Sequence, residues 1–409
     1  MKRLSLIFWG LALCFLAFGC GGREPLVLGD QRTDVYLPLL EGKRVAVFTN
    51  HTGIVGNVIK DTVLADGALL QTDDTLHTGP NIVDVLYAQG VNLALIFTPE
   101  HGFRGNADAG GYVGDGTDSH TGTPICSLYK PGGYVPSDEV MSTFDVLVVD
   151  IQDVGVRFYT YYVTLKRLME VCAVHDKMVV VLDRPNPNGF FVDGPVLDMS
   201  LRSGVGAIPV PVVHGMTLGE LALMMNGEMW LDGGRSCALA VVPCLGYRHG
   251  DRTSLVIMPS PNLKEMAAVL AYPSTCYFEG TIVSLGRGTD KPFLVYGHPD
   301  IADGYAFTPQ GRPGAWNPPC KDELCRGTSL TETSAYIGKV DFSYVIDAYQ
   351  RLGGREDFFL KNGFFNLLAG QSSVKEGIIA GKSAAQIAGE WKEDVESFKL
   401  IRSKYLLYE

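Results

Sequence analysis

The sequence predicts an α/β protein, a Rossmann-like, mostly parallel, doubly wound sheet followed by a second, smaller α+β domain. Three observations predict it. Between residues 43 and 245, short β-branched apolar runs alternate with helix-like stretches, the pattern of a sheet wound by crossover helices. The runs are almost unbroken in hydrophobicity, as strands buried on both faces are. Five of them end in polar or titratable residues beside Gly or Pro, and in an open parallel sheet the ligand crevice lies at the carboxyl ends of the strands.

The strand candidates are Arg44–Thr49, Leu93–Thr98, Val146–Asp150, Met178–Asp183, Pro209–Val213 and Ala238–Val242. Helices are expected over Asn81–Gln89, Tyr159–His175 and Thr217–Asn226; in the last, Thr217 and Glu220 form a capping box. These elements make a catalytic domain over 34–252, with an auxiliary domain over 253–409. In the latter, Pro259-Ser260-Pro261-Asn262 opens a helix-like stretch and Gly280–Pro292 is a polar loop. Ser383 and Gln386 form a second capping box heading a helix over 384–408, with Trp391, Val395, Phe398 and Arg402 on one face.

At the N-terminus, Lys2 and Arg3 precede an uncharged run from Leu4 to Gly19 that ends at Cys20. The run is short of the ~20 residues of a membrane span, and basic-then-apolar is the order of a secretory signal. Leu16-Ala17-Phe18-Gly19-Cys20 resembles a lipoprotein cleavage site. The expectation is a lipoprotein-type signal over 1–19, a linker over 20–33, and an exported chain anchored in a periplasm-facing membrane by lipid on Cys20. Removing two positive charges takes the net charge from −11 to −13, at odds with a nucleic-acid binder working through a basic surface. Of nine cysteines, Cys14 is discarded and Cys20 lipidated; among the rest, Cys320 and Cys325 are the expected disulfide by proximity. Gly 48 and Pro 22 exceed average usage, and without low-complexity segments the excess belongs to ordered loops.

Several chemistries lack their motifs. GxSxG, GxxxxGK[ST], HExxH, CxxC and a GxGxxG between strand and helix are all absent from the sequence, so a nucleophile elbow, a phosphate cradle and a zinc site have no support. What remains is carboxylates beside Arg, His, Asn and Tyr, the equipment for protonating a leaving group and holding a polar substrate. Glu100 follows a buried strand, lies near Phe103 and is the candidate general acid; the alternative is a loop carboxylate paired with Arg104. Asp150 and Asp153 stand three apart at a strand end; they activate water, bind a metal, or cap the following helix. Arg157 and Arg184 either clamp a substrate carboxylate or form buried ion pairs. His214 either bonds a sugar hydroxyl or is a satisfied loop histidine. Asn50, His101, Arg104, Gln152, Tyr159, Asn186, Glu279, Arg287 and Thr289 complete the candidate substrate contacts.

The strings TPEHGFRG (98–105), DVLVVDIQDVGVRFYTY (145–161), VVLDRPNPNG (180–189), GPVLD (194–198), VHGMTLGELA (213–222), PSPN from Pro259, EGTIVSLGRGTDKPF (279–293) and EWKEDVESFKLIRSKYLLY (390–408) together resemble the exo-β-N-acetylmuramidase (NamZ-type) glycoside hydrolases, collinearly over nearly the whole mature chain. The resemblance implies a cleft between a Rossmann-like domain and a smaller one. It also implies release of N-acetylmuramic acid from non-reducing ends of peptidoglycan fragments, with the family's proposed catalytic glutamate falling on Glu100 and no cofactor. The segment Asp66–Pro80 looks longer than the family's, Asp115–His120 replaces a more regular segment, and Lys291 and Leu294 stand where Arg and Glu are common. Two other functions are compatible with the residues: an exported muropeptide-binding lipoprotein, which needs arginines and aromatics but not Glu100, and a metal-dependent hydrolase using Asp150, Asp153 and His214.

Overall fold

The computed structural model describes residues 25–56, 58–60, 62–63, 69–70, 79–99, 103, 114–128, 135–331 and 338–409. Its centre is a seven-stranded sheet of β1 (Arg44–Thr49), β2 (Asn92–Thr98), β3 (Gly116–Thr117), β4 (Pro124–Ser127), β5 (Val146–Asp150), β6 (Met178–Leu182) and β7 (Ala238–Val242). In space they run β7-β6-β5-β1-β2-β4-β3, all parallel except the edge strand β3. After β1 the chain moves outward to β2, then returns to lay β5 on the other flank of β1. That reversal is the topological switch point, and the crevice outside it is where such sheets bind ligands.

Alternation along each strand divides the apolar side chains between two layers. Val45, Val47, Ile96, Val146, Val148, Val180 and Leu182 join Tyr36 and Leu40 of α1 (Thr33–Leu40) and Ile82, Val83 and Leu86 of α2 (Ile82–Ala88). Ala46, Phe48, Phe97, Leu147, Val149, Val179 and Val181 face the other way, toward α4 (Tyr161–Val174) and α5 (Leu218–Gly227), α3 being the short turn Asp138–Met141. That second layer runs on without a break into Tyr277, Phe278, Phe342 and Trp391, so the C-terminal part shares one core with the sheet. The C-terminal part contains α6 (Met266–Thr275) and an antiparallel sheet, β8 (Val295–His298), β9 (Tyr305–Phe307) and β10 (Cys325–Ser329), ordered β8-β10-β9. Helices α7 (Ser343–Arg351), α8 (Phe364–Ala369), α9 (Ser373–Ile379), α10 (Ala384–Glu390) and α11 (Lys392–Arg402) complete it. Both expected capping boxes form, at Thr217/Glu220 and Ser383/Gln386.

The structure corrects four local expectations. Pro209–Val213 is not a sheet strand: Pro209 and Pro211 cannot donate to a ladder. The segment makes only bridges at Val213, to Val156 and Asp193. The helix expected over 384–408 is two helices, because Trp391 leaves helical geometry (φ −101°, ψ 0°) while its indole N–H donates to Asp193 Oδ1 at 2.8 Å. Part of the expected linker belongs to the domain: Val27 bridges Leu245, and Leu28, Gly29 and Asp30 are buried. Cys320 and Cys325 are not joined as a disulfide; their thiols are hydrogen-bonded to each other and also approach the carbonyls of Ile282 and Glu323.

Candidate active site

At the switch point the ends of β1 and β5 stand in register, Thr49 beside Asp150. The loops that follow are stitched together by buried polar side chains. Asn50 accepts from the Thr52 N–H (2.8 Å) and hydroxyl (2.6 Å) and donates to the Tyr161 hydroxyl (2.8 Å). Thr52 Oγ1 in turn accepts the Gln152 N–H at 3.0 Å, and Gln152 Nε2 donates to the carbonyls of Asp153 and Pro185. Asn186 donates to Met216 O (2.9 Å) and accepts from Asn188 N (2.8 Å). Asn50 and Asn186, expected as substrate contacts, therefore shape the loops.

Asp153, like Asp30, keeps one buried oxygen without a partner. It is 7% exposed; Oδ1 accepts the Gly155 N–H at 2.7 Å, and Oδ2 has no partner. Burial pushes its pKa up to about 7, against the pull of the backbone N–H groups of Gly155, Val154 and Tyr162. The loop closes tightly because Gly155 takes φ +73°; a Cβ there would stand within 2.3 Å of the Asn186 amide. Behind Asp153 lies a cavity of about 10 Å³ lined by Gln152, Asp153, Arg184 and Asn186 among others, room for one water.

Three neighbours hydrogen-bond to protein groups. Arg184 donates to Asp150 through Nε (2.6 Å) and Nη2 (2.9 Å), and to Asp30 through Nη2 (2.7 Å), all three residues being buried. Asp150 as a catalytic group and Arg184 as a clamp thus give way to a buried ion triad. Burial works against Arg184's charge, but the two carboxylates raise its pKa; burial lifts Asp30 to about 7. Arg157 is fully buried, and its Nη1 and Nη2 donate to the carbonyls of Pro195 (2.6 Å), Val210 (3.0 Å), Leu368 (3.0 Å) and Ala369 (2.7 Å). It rivets the sheet domain to the C-terminal end of α8 instead of clamping a substrate. Beside it Gly370, at φ +77°, leaves no room for a side chain: a Cβ would meet the guanidinium at 2.3 Å. His214 is buried, accepts the Met216 N–H on Nδ1 (3.1 Å), and is pushed down to about 3 by burial, with Arg402 and Arg157 adding to the effect. It is neutral across the physiological range, held to the loop through Nδ1 while its buried Nε2 has no partner. Among the described residues no three His, Cys, Asp or Glu side chains come together as a metal site.

The C-terminal part packs an aromatic cluster against the Tyr159 side. Tyr159 and Tyr161 both donate to Pro259 O (2.9 and 3.2 Å), and Tyr159 meets Tyr272 edge-on at 6.2 Å, which in turn meets Phe293 at 4.9 Å. Against Phe293 lies the guanidinium of Arg287, 5.0 Å from the ring centroid. Arg287 donates to Glu279 Oε1 through Nε (3.2 Å) and Nη2 (2.6 Å); both side chains keep about a quarter of their surface in solvent, 27% and 24%. Thr289 holds the GRGT loop by donating to Gly286 O (2.7 Å) and accepting from Lys291 N (3.0 Å). Asp30 and Tyr272 escaped the sequence reading. Nothing local distinguishes Asp30, 154 residues from Arg184, and Tyr272 reads as one more apolar position of a helix. Glu100, His101 and Arg104 lie outside the described residues.

Two family models match the chain: exo-beta-N-acetylmuramidase NamZ, N-terminal, over residues 45–267, and its C-terminal counterpart over 270–408. The peptidoglycan beta-N-acetylmuramidase NamZ of Bacillus subtilis is 35% identical, over 91% of this chain and 89% of its own. Two crystal structures of DUF1343 family proteins from Bacteroides fragilis share the fold. One has TM-score 0.82 and 48% identity over 94% of this chain and 99% of the other; the second has TM-score 0.75 and 26% identity over 95% and 100%. The chain belongs to the NamZ family of exo-beta-N-acetylmuramidases.

Proposed function

We propose that this chain is an exo-acting glycoside hydrolase that releases N-acetylmuramic acid from the non-reducing ends of peptidoglycan fragments. The observation that carries the reading is the end-to-end match to both NamZ domain models and to a relative named for acting on peptidoglycan as a beta-N-acetylmuramidase. Asp153 adds to it. Glycoside hydrolysis needs an acid for the leaving oxygen and a second carboxyl group on the other side of the bond. Glu100, two residues after the last residue of β2, protonates the leaving oxygen. Asp153, poised at about 7, takes a proton from the attacking water, since a base works best with a pKa near the operating pH. The chemistry calls for no cofactor. Incubation with a chromogenic N-acetylmuramide should give turnover that survives a chelator and disappears in Glu100→Gln. Binding without turnover would instead support a muropeptide-binding protein, and chelator sensitivity a metal-dependent hydrolase.

What distinguishes muramic acid is its lactyl carboxylate, which calls for a cation. Protein groups enclose the guanidiniums of Arg157 and Arg184; Arg287 keeps about a quarter of its side chain in solvent, and its Nη1 takes no part in the pair with Glu279. Arg287 is the anchor in this reading. Arg287→Ala is expected to raise KM for the muramide at least about tenfold, the effect of losing a charged hydrogen bond. An equal effect on the matching N-acetylglucosaminide, which lacks the lactyl group, would remove the assignment.

The N-terminal pattern of Lys2, Arg3, the apolar run to Gly19, and Cys20 supports export and a lipid anchor on Cys20 in a periplasm-facing membrane. Cys20→Ser is expected to abolish incorporation of labelled fatty acid and to move the protein from the membrane to the soluble fraction. Unchanged labelling would contradict the anchor.

A further inference from the structure

We propose that Trp316 is an aromatic platform on which a sugar of the leaving-group chain stacks, an inference that rests on the glycosidase reading above. Trp316 is 58% exposed, so more than half of a large, flat indole is open to solvent, where a ligand can reach it. Its loop is pinned on two sides. The turn is closed by Arg312 and Ala315, which exchange backbone hydrogen bonds of 3.2 and 2.8 Å. On one side Asn262 Nδ2 donates to Gly314 O at 2.9 Å. Asn262 stands three residues from Pro259, whose carbonyl accepts the Tyr159 and Tyr161 hydroxyls. On the other side Arg312 Nη1 pairs with Asp290 Oδ1 at 2.6 Å, and Gln310 N donates to Gly288 O at 3.0 Å, both partners lying in the GRGT loop that carries Arg287. The turn is therefore fixed to the Tyr159 side and to the Arg287 side of the candidate site at once.

The occupant follows from direction. An exo-acting enzyme encloses the terminal sugar, so every sugar that remains outside that pocket belongs to the leaving group. Three residues span at most about 11 Å, which keeps the Trp316 turn within the reach of a short oligosaccharide from Tyr159. A pyranose ring presents an apolar C–H face with a polar rim, and a pinned indole matches it with little rotamer entropy to lose.

The test compares substrates of different length. Trp316→Ala is expected to change kcat and KM for a single-sugar chromogenic N-acetylmuramide by less than about twofold. It should raise KM for a muramyl-terminated tetrasaccharide about tenfold at unchanged kcat, the scale of one lost aromatic contact; Trp316→Phe should restore most of the loss. An equal loss on both substrates, or no change on the tetrasaccharide, overturns the platform. If the wild-type protein turns over neither substrate, the glycosidase reading fails separately. The platform is then judged by calorimetric titration of the tetrasaccharide: weaker binding to Trp316→Ala upholds it and equal binding overturns it.

Discussion

Asp153→Asn is expected to lower kcat on a chromogenic muramide by about 10²- to 10⁴-fold, the range for losing a positioned acid or base, and Glu100→Gln by a similar factor. The two variants differ in their pH signatures. In the wild-type protein the base form of Asp153 is required, and burial raises its pKa to about 7, so kcat/KM should fall on an acidic limb near pH 7. That limb should vanish from the residual activity of Asp153→Asn and persist in Glu100→Gln. Stability should move the opposite way. A carboxyl group that binds its proton more tightly folded than unfolded stabilises most below the ordinary carboxylate range, and that contribution is lost as pH rises toward about 7. Asparagine removes the buried charge, keeps an oxygen for the Gly155 N–H, and should melt at a higher temperature than wild type at pH 8. That advantage should shrink at pH 5. A melting temperature that drops equally at both values would count against the assignment.

Arg157→Met is expected to destabilise the fold by about 3–5 kcal/mol, because each buried carbonyl stripped of its donor costs ~1–3 kcal/mol. Here the abandoned groups are four carbonyls on two domains, those of Pro195, Val210, Leu368 and Ala369. Arg157→Lys should recover only part of the loss, since an ammonium has three donors and no planar fork. Urea denaturation checks this directly. A midpoint that stays put, accompanied by a rise in KM, would return Arg157 to the substrate-clamping role.

Much of the sheet was legible because its strands carry their evidence locally. Arg44–Thr49, Val146–Asp150 and Ala238–Val242 are each a compact apolar run, and each forms with the expected bounds. Pro209–Val213 has the same hydrophobicity, but backbone donors decide whether a run joins a ladder, and two prolines remove them. The short edge strands β3 and β4 carry too few residues for a period to be read. Side-chain roles were harder for a different reason. Arg157 and Arg184 follow strand ends just as a substrate clamp would, and the sequence around each is compatible with either use. The choice was made by groups far away along the chain, Asp30 for one and the end of α8 for the other. Asp153 was legible as a strand-end carboxylate; its difference from Asp150 is that no arginine reaches it.

The hydroxyl of Tyr408 donates to Asp183 Oδ2 at 2.6 Å and accepts from Cys244 N at 3.0 Å, while Asp183 also receives the Thr217 hydroxyl and the Gly219 N–H at the head of α5. Asp183 and Tyr408 are 225 residues apart. The carboxylate that organises the start of α5 is thus tied to a segment beyond α11, so one buried knot holds the sheet domain and the C-terminal helices together. Loss of the Tyr408 hydroxyl should therefore unlatch the sheet domain at the head of α5 and open it to proteolysis.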